Sequence, residues 1–428
     1  MTHSNSVSAP RSSGFASQVV KQVLPNGLTV LVRPVPGSGS VSICGKLRAG
    51  DAYGNGFSLL AQLAAYQLTF GSTKFSKLEI SKMLQRMGSL SFFTDTFSLH
   101  WGATVIASNF SAFMELTAEL LRHPLFDPKE LDRSKKLLGA MIMQSAKDTG
   151  TMARNVLARK LYERGPYAEK AFDEIQAEFE QITPAMLQAF HDEHIVPYGG
   201  VITIVGDVDS AAAFTLLTRV FGDWTGPQVE TVTIPAATLP VKNRFNVPVG
   251  DEDNLDVVIG LPCTVQRAQP DFYAARVANL ILGGDTICSR LGVVRVKHSL
   301  TYGINSGFGE FFMGGAPWTI GLTTDVRKVE RALALIADLV AKFLAEGVTD
   351  AEVANQASRA SESFLVGLRT DLKVATQITD LAFIGLGVEE LDLYPGKIKA
   401  VTTAEVNAAL RRYFSIDNAV TVVCGKIS

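Results

Sequence analysis

Apolar and polar residues alternate along Gly27 to Arg33 and again along Val41 to Leu47, which predicts two half-buried strands. The period then lengthens. From Gly56 to Phe70 and from Lys77 to Met87 apolar positions recur every three or four residues, as on one face of a helix. In the second half of the chain Leu255 to Leu261 predicts a strand, and Val326 to Glu346 and Asp350 to Leu368 predict long helices. Thr349 stands where an N-cap belongs, with Asp350 and Glu352 near the positive helix end. Leu333, Ile336, Leu339, Val340 and Phe343 share one face of the Val326 to Glu346 helix, which is expected to pack on its own sheet. Strands followed by runs of helices predict an α+β fold, each mainly antiparallel sheet being covered by helices on one face.

The pattern occurs twice. Ile182-Thr183-Pro184 opens a helical stretch leading to the strand-like run Val201 to Gly206, and a shift of 219 residues (182 to 401, 201 to 420) places Val401-Thr402-Thr403 before Val420 to Gly425. Thr183 with Pro184, and Thr402 with Glu405, carry the chemistry of a helix start in each copy. An internal duplication follows, with two homologous domains. The expected divisions are a disordered tail over residues 1–20, a first domain over 21–225, a linker over 226–244 marked by Gly226, Pro227, Pro235 and Pro240, and a second domain over 245–428.

Composition narrows the partners. Forty Lys and Arg against 42 Asp and Glu leave a formal charge of -2, so there is no basic footprint for nucleic acid. Cys44, Cys263, Cys288 and Cys424 are scattered without C-x-x-C spacing and predict free thiols. No apolar run approaches the roughly 18 residues that span a bilayer, and the first eighteen residues lack a signal-like apolar stretch. A soluble, cytoplasmic chain is expected, or a periplasmic one if a signal peptide has been removed.

Several short motifs resemble one family when taken together. Leu24-Pro25-Asn26-Gly27-Leu28, Ala49-Gly50, Gly206-Asp207-Val208 and Phe221-Gly222-Asp223-Trp224 are similar to the first half of pitrilysin-type zinc peptidases, in the branch of the mitochondrial processing peptidase. Leu282-Gly283-Gly284, Ser289-Arg290-Leu291, Arg295 and Leu300-Thr301-Tyr302 are similar to the second half. The resemblance runs from about Lys21 nearly to the end. It implies two domains of one α+β fold arranged as a clam, and two such chains closing around an unfolded peptide.

Active members of that family carry H-x-x-E-H on an early helix, with a second Glu roughly 80 residues on. Counted from Gly56, this chain has Leu59, Gln62 and Leu63 in those places, no His between His3 and His100, and no Glu between Glu130 and Glu163. A leucine cannot ligate zinc, and a glutamine cannot take a proton from a bound water. No catalytic residue and no metal of its own are therefore expected. The only closely spaced His pair, His191 and His194, reads as a solvated helix end rather than a metal site, since no third ligand is evident.

The resemblance also implies a substrate-binding pair in the second half, an Arg and a Tyr seven residues apart, matched by Arg295 and Tyr302. The guanidinium suits a peptide carbonyl, and the phenol can donate to an oxygen that gains charge. By spacing alone, the pair would read as a helix cap and a half-buried strand aromatic. Arg290 reads as structural, next to a core Leu291. Gly283-Gly284 is only a trimmed version of the glycine-rich loop of some noncatalytic subunits.

Loss of the metal site with retention of the pair implies a noncatalytic, substrate-binding subunit of a heterodimeric peptidase acting on unfolded peptides. Its partner would be a homologous chain bearing H-x-x-E-H, which would hold the zinc; alone the chain would be inactive. The alternative is an inert assembly subunit resembling the core proteins of the cytochrome bc complex.

Overall fold

The computed structural model describes residues 14–235, 242–250, 253–310 and 312–427. Residues 1–13 of the expected tail, residues 236–241 of the expected linker, Phe311 and Ser428 lie outside the described residues.

Six strands form a first sheet: β1 (Val20–Val23), β2 (Thr29–Pro34), β3 (Ser40–Leu47), β4 (Phe92–Thr94), β5 (Leu99–Ile106) and β6 (Val201–Gly206), in the order β1-β2-β6-β3-β5-β4. Five form a second: β7 (Asn243–Pro248), β8 (Asn254–Pro262), β9 (Ile304–Phe308), β10 (Pro317–Asp325) and β11 (Val420–Gly425), in the order β7-β11-β8-β10-β9. In each sheet a single neighbouring pair is parallel, β2 with β6 and β7 with β11, and the others are antiparallel. Without β1 the two orders coincide strand for strand. The duplication therefore extends to the whole sheet topology, and the helices Pro184–His194 and Thr403–Tyr413 keep the offset of 219 at both ends (403 − 184 and 413 − 194).

Helix starts are written in local chemistry. The Thr183 hydroxyl accepts the Met186 N–H, and Pro184 sits at the first helical position, where no N–H is needed. Reciprocal capping boxes open the helices Asp350–Gly367, through Thr349 and Glu352, and Thr403–Tyr413, through Thr402 and Glu405. Two motifs far apart in sequence meet at the end of the first half. The Asn26 amide donates to the carbonyls of Phe221 at 2.6 Å and Trp224 at 2.9 Å, while Gly27 turns the chain with φ +85°.

One face of each sheet packs on its own half's helices. Val30, Val32, Val41 and Ile43 lie in the first core; Leu255, Val257, Ile259 and Leu261 lie in the second, with Ile336, Val340 and Phe343 of the helix Val329–Glu346. The opposite faces are covered too, contrary to the one-face expectation, because the halves exchange helices. Leu31, Cys44, Val201 and Val205 of the first sheet pack against Val374, Ala375, Ile378 and Leu381 of the second-half helix Asp371–Phe383. In return Val258, Val420, Val422 and Cys424 of the second sheet pack against Ala153, Val156, Leu157 and Leu161 of the first-half helix Thr149–Leu161. Fully burying one such Leu, Ile or Val contributes about 1.5–3 kcal/mol, so each exchanged helix adds several kcal/mol to the cohesion of the halves. Among the described residues no helix is long and apolar enough to cross a membrane.

Candidate functional site

The short helix Leu60–Gln67 has Leu59 at its N-cap and buries Leu60, Leu63 and Ala64 in the first core. Its outer side borders a cavity of about 720 Å³, and Leu59, Gln62 and Leu63 all line it. The three positions singled out in the sequence thus border one cavity. Facing them stand Leu138, Met141, Ile142 and Ser145 of the helix Pro128–Ser145, which is opened by Asp127 as N-cap and Pro128 at its first position. These residues lie 79 to 82 positions beyond Leu59 to Leu63 (138 − 59, 145 − 63), where a distal carboxylate was looked for. The donors there do not fit a zinc ion: two leucines, one amide and an aliphatic wall supply neither imidazole nor carboxylate. Among the described residues no three His, Cys, Asp or Glu are grouped to hold a metal.

The cavity lies between the halves. Thr151, Arg154, Asn155, Leu157 and Ala158 of the exchanged helix contribute, as do Val258, Asn305, Thr319 and Gly321 from the second sheet. Phe172, Ile175 and Phe179 complete the apolar lining. Gln62, Met141, Arg154 and Glu169 are exposed as well as cavity-lining, so the space is open to solvent.

Carboxylates collect at one side of this opening. Glu169 and Thr96 line it, Asp95 precedes Thr96, and Glu310 accepts the hydroxyl of the lining Tyr167 at 3.2 Å. Crowding by protein pushes the Glu169 carboxyl above the ordinary range. Burial raises Asp51 to about 6, against a hydrogen bond from the Thr94 hydroxyl at 2.9 Å, and the charges of Asp95 and Glu169 add to the rise. Burial likewise raises Glu310, opposed by N–H donors from Phe312 and Met313. Asp51, Asn155, Glu169 and Glu310 had no motif to mark them. They come from four loops and helices, and only the tertiary fold places them together.

Arg295 and Tyr302 lie elsewhere, on the surface of the second half. Arg295 is exposed on the short helix Val293–Val296, and Tyr302 is 91% exposed ahead of β9. Tyr302 is therefore no half-buried strand aromatic. Arg290 forms a fork with the Glu352 carboxylate, two contacts of 2.9 Å, and donates to the Gly347 carbonyl at 2.8 Å; Leu291 beside it is fully buried.

His191 and His194 correct the expectation of a solvated helix end, for both are buried. His191 Nε2 lies 2.8 Å from the Leu121 carbonyl and its ring packs edge-on to Phe126. His194 packs beside Tyr53 and Phe190, and burial lowers its pKa. Tyr53, Phe126 and the Leu121 carbonyl, all brought from distant parts of the first half, close over this helix end. The four cysteines are free, Cys288 exposed and the others buried. Phe92 is buried in the first core, and Phe93 beside it is exposed.

Known proteins share this fold. Residues 181–359 match the family model described as the Peptidase M16 inactive domain. A curated relative, the non-peptidase homolog YmxG of Helicobacter pylori, is 21% identical over 371 residues, covering 84% of this chain and 82% of its own. The crystal structure of a peptidase M16 inactive domain from Pseudomonas fluorescens superposes with a TM-score of 0.88 at 24% identity, over 96% of this chain and 98% of that one. The periplasmic protease PqqL of Escherichia coli gives a TM-score of 0.81 at 15% identity; all of this chain matches 48% of that longer protein.

Proposed function

Taking as premise that the chain is a relative of the pitrilysin-like peptidases and resembles their noncatalytic subunits, we propose that it binds unfolded peptide for a partner that cuts it. The partner is a homologous chain with H-x-x-E-H, which holds the zinc, and Arg295 and Tyr302 reach into that partner's site. One observation carries this reading. Arg295 and Tyr302 are exposed, and among the described residues neither side chain makes a hydrogen bond or ion pair, so both are free to meet a second molecule. An Arg fork aimed at a peptide carbonyl fixes the orientation of the peptide, and a phenol donor stabilises an oxygen that gains negative charge. A periplasmic setting is compatible with this role, since one fold neighbour, PqqL, is a periplasmic protease.

The test is hydrolysis of an internally quenched, unstructured peptide by the purified chain, by a zinc-motif homologue, and by the mixture. Cleavage in the mixture that exceeds the sum of the parts, and that falls with Arg295→Ala or Tyr302→Phe, supports the proposal. Cleavage indifferent to both substitutions, with an intact complex, would assign the chain to the inert assembly role.

A further inference from the structure

We propose that a cavity among the helices of the second half binds a carboxylate carried on a short apolar stem, from either a free small acid or the C-terminal residue of a peptide. The cavity has a volume of about 620 Å³ and lies between the helices Phe272–Gly283, Glu390–Lys399 and Thr403–Tyr413. Every residue that lines it belongs to the second half, and none is shared with the space between the halves. The inference therefore stands apart from the peptide-binding reading.

The floor suits a small apolar group. Ala274 and Ala409 are buried there, with Leu386 and Val401 half-buried beside them, and the short alanine side chains leave the space open. Arg267 supplies the chemistry. It is only 7% exposed, and the ring centroids of Phe272, Tyr273 and Tyr394 lie 4.7, 5.0 and 5.5 Å from its guanidinium carbon, so the fork is held in place before any ligand arrives. Its Nη1 donates to the Tyr273 hydroxyl at 3.0 Å and its Nη2 to the Glu390 carboxylate at 3.3 Å. Among the described residues it has no other polar partner, which leaves most of its five N–H donors without an acceptor.

A helix start adds donors to the same wall. Asp271 stands at the N-cap of Phe272–Gly283 but does not cap it, because its carboxylate is turned to the Tyr413 hydroxyl at 2.6 Å and to Arg412 at 3.0 Å. The first-turn N–H groups of Tyr273 and Ala274 thus lack a capping side chain, and both residues line the cavity.

Formal charge alone selects no ligand, since the lining holds three cations, Arg267, Lys397 and Arg412, and three carboxylates, Asp271, Glu390 and Glu405. Hydrogen-bonding capacity decides the sign. Glu390, the carboxylate beside Arg267, already accepts from Arg267, from the Tyr273 hydroxyl at 3.0 Å and from Lys397. Glu405, on the exposed rim, is tied to Thr402, whose N–H and hydroxyl hold its carboxyl below the ordinary range. Arg412 and Lys397 each meet one carboxylate and keep further N–H groups. The unused groups at the buried end are donors, and a carboxylate accepts several of them at once.

The experiment is isothermal titration calorimetry of the intact chain with 4-methylpentanoate, with its neutral amide, and with N-acetyl-leucine, which carries the same branched stem on a peptide-like end. The expected result is that at least one carboxylate binds and that the amide binds about tenfold more weakly or worse; the tighter of the two acids identifies the source. Arg267→Gln should weaken the carboxylate about tenfold or more. If thermal melting shows that this variant has not folded, the exposed Arg412→Gln carries the comparison, with an expected loss of about threefold or more. Glu405→Gln, which can still cap Thr402, should leave binding unchanged or tighten it. Equal binding of amide and acid, no binding of either acid at about 10 mM, or weakening by Glu405→Gln in place of the arginine variants would overturn the proposal.

Discussion

The ammonium of Lys46, on β3 of the first sheet, lies 2.7 Å from the carboxylate of Asp380, on a helix contributed by the second half. Both side chains are largely shielded, at 18% and 12% exposure. The Phe383 ring lies near Lys46, and Asp95 lies 3.6 Å from its ammonium. Burial alone would lower the Lys46 pKa; Asp380 and Asp95 outweigh it and raise the value. The pair therefore ties an exchanged helix to the sheet it covers. Removing one partner leaves the other charge poorly solvated, so Asp380→Ala is expected to cost about 2–4 kcal/mol of unfolding free energy. The double change Lys46→Met with Asp380→Leu should recover most of that loss. Urea unfolding of the single and double variants checks both statements.

Asp51 gives a pH dependence of defined sign. Its carboxyl titrates near 6 in the folded chain, above the ordinary 3.8, so the folded state holds the proton more tightly than the unfolded one. Stability from this group is present below about pH 4 and is lost as the pH rises toward 6. Asp51→Asn removes the charge and should stabilise the chain at pH 7.5, with the difference vanishing near pH 4. Asp51 is partly screened by solvent, so the gain is at most about 1 kcal/mol, or a degree or two in melting temperature. Paired thermal melts at the two pH values would show the opposite trend if the group were instead stabilised as an anion.

Restoring only the local motif should not restore a metal site. Leu59→His, Gln62→Glu and Leu63→His together supply two imidazoles, but the facing wall remains Leu138, Met141 and Ile142. Zinc bound by this triple variant should be weak, and a further Met141→Glu or Ile142→Glu should tighten it by an order of magnitude or more, as a third protein ligand does. Zinc titration with a chromogenic competitor reads the affinities. Equal affinity with and without the fourth substitution would show that the two helices do not face each other as described. Leu63 is fully buried, so melting curves must accompany the titration.

The exposed pair should separate function from folding. Arg295→Ala and Tyr302→Phe are each expected to change stability by less than about 0.5 kcal/mol, since neither position supports the core. The same changes should lower cleavage by the proposed heterodimer about 10²-fold or more, the usual loss of one transition-state donor. Denaturation midpoints and kcat/KM of the mixture, measured on the same preparations, make the comparison.

Much of the fold was legible because local rules and tertiary structure agree. The alternation in β3, the threonine caps at Thr183, Thr349 and Thr402, and the apolar stripe ending at Phe343 are set by neighbours within a few residues. Leu59, Gln62 and Leu63 were singled out by the resemblance alone, and that they line a cavity shared with the second half is set by the tertiary fold and had no signal in the sequence. The helix exchange left no trace either. The helix Asp371–Phe383 buries Val374, Ala375 and Ile378 whichever sheet it covers, so periodicity cannot tell a host sheet from a foreign one. His191 and His194 misled for the same reason: polarity suggested solvent, whereas the packing of Phe126, Tyr53 and Phe190 decided burial.

The exchanged helices also set a schedule for synthesis. The first sheet is complete in sequence once β6 has been made at residue 206, yet the helix that covers its second face begins at residue 371, a delay of 371 − 206 = 165 residues. At roughly 5–20 residues per second, Leu31, Val201 and Val205 wait on the order of 10–30 s on the ribosome without their cover. The nascent first half is thus an aggregation-prone intermediate by construction, and the chain reaches its native packing only after nearly all of it has been translated.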